Sequence, residues 1–388
     1  MRYLDCPYRS ACGGCGDQNL PYEKTLERKQ EEVRRLLAPY CRTERIVGME
    51  EPYAYRNKVH AAVGWDRRGE MITGIYARNT HRIIPVTRCR IHDTRADETV
   101  QIIRSLAQEF GIEPFDEDRG TGLLRHILIR AARSSGQMMA VLVIGRSAFP
   151  NRSAFVEALC KRCPWVRTVA VNLNGQHTSM ILGPSTRTVF GPGFIEDELM
   201  GLRFALGPDS FYQVNPLQTE KLYGKAIDLC RLNGKETLLD AYCGIGTIGL
   251  CAASKCAKVI GVELNANAVR DAQHNAKRNG IGNAVFIASD AGEWMNKAGR
   301  AQTVDVAVMD PPRTGSSRAF LASLCRKGPE RVVYVSCNPV TLARDLAFLT
   351  REGYHAETAV PFDMFPWTEH VETVCLLRWR KKDLFPVP

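Results

Sequence analysis

Short apolar runs that end in polar motifs dominate the second half of the chain. TLLDAY (237–242), KVIGVEL (258–264), AVFIAS (284–289), VDVAVMD (304–310) and VVYVS (332–336) are each followed by a stretch with helical spacing. Strands of this length alternating with helices specify a doubly wound parallel sheet, an α/β fold. In such sheets ligands bind beyond the carboxyl ends of the strands, near the point where strand order reverses. The motifs that close these runs are therefore where the chemistry is expected.

The first half reads differently. A charged amphipathic helix is expected over 22–38. Residues 53–92 and 122–206 hold short β-branched runs such as HAAVGW, MITGIYA, HILIRAA, MMAVLVIG and TVAVNL, separated by Gly, Asn and Pro. These predict an antiparallel β region with one or two inserted helices. With 388 residues the chain is long enough for two domains, expected at 1–206 and 207–388.

Composition narrows the partners. The net charge of +10, from 52 basic and 42 acidic residues, favours polyanions modestly and is not gathered into a tail. No uncharged apolar run reaches about 18 residues, so no membrane span is expected. The start, MRYLDCPYRSACGGC, lacks the apolar core of a secretory signal, and a cytoplasmic location is expected. There a count of 14 cysteines suggests metal or catalysis rather than disulfides. Cys230, Cys251, Cys256, Cys325 and Cys375 read as small core residues. The N-terminal cysteines and Cys337 stand apart.

The segment from Asp240 to Gly249 follows a strand and opens a helix, and Gly244, Gly246 and Gly249 fit G-x-G-x-x-G. With Glu263 ending the next strand, the pattern alone admits an NAD site. Three features oppose a dinucleotide. Asp240 sits four residues before the first glycine, where a carboxylate suits a cationic amino-acid moiety and repels a pyrophosphate. Asp290 follows the third strand, placed either to accept from adenine or to cap a helix. Asp310-Pro-Pro-Arg313 ends the fourth strand, and two prolines make a rigid extended turn that exposes carbonyls beside a bound base. Together they favour S-adenosylmethionine over NAD.

Ser336-Cys337-Asn338-Pro339 follows the run VVYVS. Cys337 is thereby expected at the sheet's carboxyl edge, near the next helix N-terminus, where the dipole lowers a thiol pKa. A nucleophile needs a base. Trp367-Thr-Glu-His-Val-Glu-Thr373 offers Glu372, His370 and Glu369, and spacing alone does not choose among them.

Taken together these residues resemble the uracil-5 RNA methyltransferases, which modify ribosomal and transfer RNA. Phe211-Tyr-Gln-Val-Asn215, the Asp240–Gly249 loop, Asp310-Pro-Pro-Arg313, Ser336-Cys-Asn-Pro339 and His370-Val-Glu372 match in order, and the resemblance covers nearly the whole chain. It implies a Rossmann-like class I methyltransferase domain preceded by a β-rich domain with an iron–sulfur cluster. It implies Cys337 as nucleophile and Glu372 as base. Gln213, Tyr242, Glu263, Asp290 and Asp310 are the implied cofactor contacts, and Phe211 lies near the target base. Thr247 stands where relatives often carry Asn and is left out of the site. The implied chemistry explains the pairing, since uracil C5 is too weak to attack a methyl sulfonium until a thiolate adds at C6.

The resemblance also reads the N-terminus. Cys6, Cys12 and Cys15, with Cys89 downstream, look like the [4Fe–4S] ligand set of ribosomal-RNA members; four thiolates also suit a zinc. Cys160 and Cys163 read as an exposed helical accident. The expected partner is structured RNA, ribosomal ahead of transfer RNA, bound by a monomer. Relatives often begin with a small RNA-binding barrel. With Cys6 so near the first residue, RNA contact is instead expected of Tyr55-Arg-Asn-Lys58 and Arg125-His126 in the β region.

Overall fold

The computed structural model describes residues 2–298 and 303–380; the last residues of the expected second domain, 381–388, lie outside them. The chain opens with α1 (Tyr22–Leu37) and a two-residue strand β1 (Arg42–Thr43). Then come β2 (Lys58–Trp65), β3 (Met71–Tyr76), β4 (Ile83–Pro85), α2 (Thr94–Glu109), β5 (Leu124–Ala131), β6 (Met138–Ile144), α3 (Arg152–Arg162), β7 (Val166–Leu173) and β8 (Ser185–Phe190). A hairpin, β9 (Ile195–Leu199) and β10 (Leu202–Leu206), leads to α4 (Pro216–Cys230), β11 (Thr237–Ala241), α5 (Thr247–Ala252), β12 (Lys258–Glu263), α6 (Ala266–Arg278) and β13 (Ala284–Ala288). The remainder is α7 (Ala291–Ala298), β14 (Val306–Met309), α8 (Arg318–Lys327), β15 (Arg331–Ser336), α9 (Pro339–Arg351), β16 (Tyr354–Phe362) and β17 (Glu372–Trp379).

The catalytic sheet has the order β1-β16-β17-β15-β14-β11-β12-β13. Its β11 to β15 core is parallel, and β17 and β16 add antiparallel to one another beyond it. The runs read from sequence fall on these strands, and β15 is buried along its whole length, as a strand covered on both faces must be. One helix layer forms a core around Leu222, Ile248 and Phe286; the other buries Trp294, Phe320 and Leu346. Strand order reverses between β11 and β14, which are adjacent and parallel, so the Asp240 and Asp310 loops leave the same edge side by side.

Two expectations change. The β region is a seven-stranded sheet, β4-β3-β2-β5-β6-β7-β8, but it is mixed: β6 and β7 pair in parallel, joined by α3, because a helix between two strands returns the chain to the same end. Second, residues 22–47 do not stay with that sheet. Strand β1 pairs in parallel with β16, and Val33 and Leu37 of α1 are buried in the catalytic core. The boundary at 206 therefore does not separate two independent cores. Leu128, Met139, Val141 and Ala170 of the β-rich sheet also pack with Ile195, Leu199 and Phe204 of the hairpin. Among the described residues no helix is long and apolar enough to cross a membrane.

Candidate active site

The glycine loop is built around Asp240. This side chain is 1% exposed, and its Oδ2 accepts from the Gly249 N–H at 2.7 Å. A Cβ at Gly249 would stand 2.8 Å from that oxygen, so only glycine fits. Gly246, at φ +82°, turns the chain into α5. Asp240 thus faces inward and holds the loop, rather than presenting a carboxylate to a ligand. Burial raises its pKa to about 7, against the opposing Gly249 hydrogen bond and with help from Asp310 and Glu263.

Glu263, at the end of β12, accepts from the Gly244 N–H at 3.1 Å and the Asn265 N–H at 2.8 Å. It lines a cavity of about 630 Å³ with Gly244, Ser210 and Phe211, whose ring is 67% exposed. On the other side of the loop a cavity of about 670 Å³ is lined by Tyr242, Asp290, Pro312 and Ser316. Tyr242 adopts φ +64° and its hydroxyl meets Ser316 Oγ at 2.9 Å. Asp290 Oδ1 accepts from Gly292 and Glu293, the capping role open to it in the sequence, which leaves Oδ2 for a ligand. Gln213 is buried beside the Tyr223 hydroxyl, which also meets Thr247.

Register brings Cys337 and Glu372 together. In the antiparallel β15–β17 pair Ser336 faces Thr373, so the next position out sets Cys337 against Glu372. Asp310 ends β14, the strand on the other side of β15. Burial, then Asp310, pushes Glu372 well above the usual carboxylate range; the side chain is only 3% exposed. Burial also raises Asp310 to about 7.

The thiol departs from expectation. Cys337 is raised to about 11, by burial first and then by Glu372 and Asp310, against the opposing effects of its own backbone N–H and Arg313. The helix dipole does not prevail because Asn338, not Cys337, is the N-cap of α9, and two carboxylates lie closer. Outside this pair, His370 Nδ1 lies 3.3 Å from Arg313 Nη2 at the rim, and burial with Arg313 lowers its pKa. Sequence reasoning missed Ser316 and Asp345. The Asp345 carboxylate accepts from the Ser316 N–H and the Tyr334 hydroxyl, fixing the turn after Pro312; nothing in the local pattern signals this long-range link.

Cys6, Cys12, Cys15 and Cys89 line one cavity of about 200 Å³, with Arg56, Arg90 and His92 and no carboxylate. Burial and the neighbouring thiols raise Cys15 to about 12. Among the described residues no three His, Cys, Asp or Glu side chains are placed to hold a metal ion, so the expected four-cysteine ligand set is not shown, for iron–sulfur or for zinc. Cys163 is buried in the core of the β-rich sheet, not exposed as expected. Two expected RNA contacts are engaged internally. Arg125 donates to the carbonyls of Asn174, Gln176 and Thr178 and to Glu117, and the buried Tyr55 donates to the Pro366 carbonyl.

Comparison with known proteins agrees with this architecture. Residues 194–380 match the family model for tRNA (uracil-5-)-methyltransferase. An uncharacterized RNA methyltransferase of Halalkalibacterium halodurans is 40% identical over 381 residues, 96% of this chain and 82% of the relative. One from Listeria innocua is 42% identical over 377 residues, 96% and 83% of the two chains. The crystal structure of Pyrococcus abyssi tRNA (uracil-54, C5)-methyltransferase with S-adenosyl-L-homocysteine superposes with TM-score 0.80 at 26% identity, covering 95% of this chain and 86% of that one. The chain belongs to the S-adenosylmethionine-dependent RNA uracil-5 methyltransferase family.

Proposed function

We propose that this enzyme methylates C5 of a uridine in 23S ribosomal RNA through a covalent bond between Cys337 Sγ and uracil C6. The observation that carries the reading is the cross-strand placement of Cys337 against Glu372, with Asp310 beside them. S-adenosylmethionine, bound between Glu263, Asp290, Tyr242, Gln213 and Asp310, supplies an electrophilic methyl group. Glu263 takes the ribose hydroxyls and the free Asp290 oxygen takes adenine. Asp310 and Glu372 favour a cation, which fits a sulfonium and disfavours a pyrophosphate.

In the free enzyme burial, then Glu372 and Asp310, hold the Cys337 thiol above its ordinary value, at about 11, so it rests protonated at pH 7. A cation seated beside Asp310 and Glu372 offsets both carboxylates and lowers that barrier. The thiolate then adds to C6, forming a C–S bond and moving the C5=C6 electron pair into an enolate. C5 takes the methyl group as the methyl–sulfur bond breaks. Glu372 removes the C5 proton, the C5=C6 bond reforms and the C–S bond breaks, returning the thiolate. Phe211, exposed beside the cofactor cavity, offers a face for the flipped uracil.

The four N-terminal cysteines suit a [4Fe–4S] cluster. What supports this is their convergence on one cavity with a cationic lining, since a thiolate-ligated cluster is anionic. Changing any one to Ser should lower iron in anaerobically purified protein, and one zinc per chain would overturn the reading.

The test of the mechanism separates the two residues. Cys337→Ala should abolish methylation and any RNA adduct. Glu372→Gln should still add and transfer, then stall, leaving a methylated RNA–protein band on a denaturing gel. Methyluridine made by Cys337→Ala would sink the covalent route, and trapping by His370→Ala with normal turnover of Glu372→Gln would move the base to His370. A second target, transfer RNA, is favoured by the likeness to the Pyrococcus enzyme. Methyluridine maps of both RNAs from cells with and without the gene decide between them.

A further inference from the structure

The nine residues between β16 and β17 form the hairpin loop that closes on the pair Phe362–Glu372. Five successive carbonyls of this loop are held from elsewhere in the chain. Gln218 donates to Asp363 O, Asn215 to Met364 O, Lys29 to Phe365 O, Tyr55 to Pro366 O and the Asp17 N–H to Trp367 O. Trp367 itself is fully buried at φ +69°, and its indole donates to the Pro52 carbonyl at 2.8 Å. A bulky residue keeps that backbone region only where its surroundings impose it.

Asp363 is the centre of this hold. Its N–H donates to Val47 O, its carbonyl accepts from Gln218, its Oδ1 pairs with Lys29 Nζ at 2.6 Å and its Oδ2 accepts from the Tyr22 hydroxyl at 2.7 Å. Both members of the ion pair are fully buried. Pairs like this are poor sources of net stability, because desolvation consumes most of the attraction, but they impose geometry. Asp363 follows Phe362, the residue that faces Glu372 in the last rung of the ladder.

We infer that Lys29, Tyr22 and Asp363 are positioning residues for Glu372: the buried network fixes the end of the β16–β17 ladder from which the Glu372 carboxylate reaches the target base. The cysteine-lined segment joins the same device, since Cys6, Cys15 and Cys89 pack against the cluster of Leu4, Tyr22, Tyr55 and Trp367. The inference rests on the reading of Glu372 as the base that removes the C5 proton. Loosening the network therefore slows the last step of the cycle and leaves the earlier ones intact.

The experiment uses the full-length enzyme, S-adenosylmethionine and an RNA substrate. Tyr22→Phe deletes two hydrogen bonds, the one its hydroxyl donates to Asp363 Oδ2 and the one it accepts from the Met49 N–H; the double variant Lys29→Met with Asp363→Asn removes both charges together, so that neither is left buried alone. Each should lower kcat by about tenfold or more with little change in the KM for RNA. Each should also accumulate the methylated RNA adduct, in proportion to the fall in kcat, and Cys337→Ala added to either should remove the band. A network that served stability alone would give less folded enzyme with unaltered kcat per folded molecule and no adduct. That result, or slow turnover without adduct, overturns the inference, and Tyr22→Phe, the milder change, keeps it open to refutation if the double variant does not fold. Glu372→Gln is run alongside. If it traps adduct while the network variants do not, only the positioning role falls; if it turns over freely, the assignment of the base falls first.

Discussion

At the scale of single residues the site is governed by carboxylates that resist ionisation. Asp310, at about 7, holds its proton between its ordinary pKa of about 4 and neutrality. A cationic ligand prefers the ionised form, so binding releases that proton. The affinity for S-adenosylmethionine should therefore rise as pH climbs from 5.5 to 7.5. Calorimetry in buffers of different ionisation enthalpy reads the released proton directly. S-adenosylhomocysteine has lost the sulfonium charge, and its affinity should change less over the same range; equal slopes would place the sulfonium away from Asp310. Asp240 carries a second prediction. Its folded pKa of about 7 lies above the unfolded value, so its contribution to stability is complete below about pH 4 and lost as pH rises through 7. Asp240→Asn, which still offers an oxygen to Gly249, should flatten that part of the stability–pH curve in denaturant titrations.

At the scale of elements, the glycine loop is set by contact between neighbouring strands and helix. Gly249→Ala would put a methyl 2.8 Å from Asp240 Oδ2 and 2.9 Å from Val259 Cγ1, on two elements that cannot yield without moving the sheet. The expected cost is about 1–3 kcal/mol in urea unfolding, together with weaker cofactor binding. Such elements are also where the sequence was most informative. The parallel strands were legible because strands buried on both faces are written as continuous apolar runs, and the motifs after them mark one edge of the sheet. Cys337 stood out by its place after a strand, whereas Glu372 was separated from His370 and Glu369 only by the family resemblance. Three things were hidden. Strand β1 is two residues long, with no apolar run, and is a strand only because β16 lies beside it. The inward turn of Asp240 depends on a hydrogen bond nine positions along the chain. Arg125 and Tyr55 have the composition of RNA contacts, and only the fold reveals that carbonyls far away already occupy their donors.

At the scale of the whole molecule, the sheets are not separable. The catalytic sheet borrows its outer strand from residues 42–43, and α1 fills one of its helix layers. A chain cut at residue 206 would expose the edge of β16 and the apolar surface that Val33 and Leu37 cover. Residues 207–388 expressed alone are therefore expected to aggregate or to unfold without cooperativity by circular dichroism, whereas adding residues 22–206 back in one chain restores a single transition. A soluble, cofactor-binding fragment 207–388 would refute this. Arg130 ties the β-rich sheet to the loop between β10 and α4. It is buried on β5 and donates at 2.6 Å to the Ser210 carbonyl, next to Phe211. The backbone just before the aromatic residue proposed to read the base is thus held by β5.

The pairing of β1 with β16, and of Lys29 with Asp363, also dictates a timetable. A ribosome making this chain releases α1 long before β16 and the loop that carries Asp363. At about 5–20 residues per second, the early segment waits tens of seconds for β16 to emerge. Strands β2 to β8 find all their neighbours within residues 58–190 and are free to fold meanwhile. Stalled chains ending near residue 340 should accordingly show a protease-resistant core over 58–190 and ready cleavage within 22–47. Protection of 22–47 should appear only once synthesis passes the loop that carries Asp363. Birth of the active site is in this sense a late event, withheld until α1 and the β16–β17 hairpin meet.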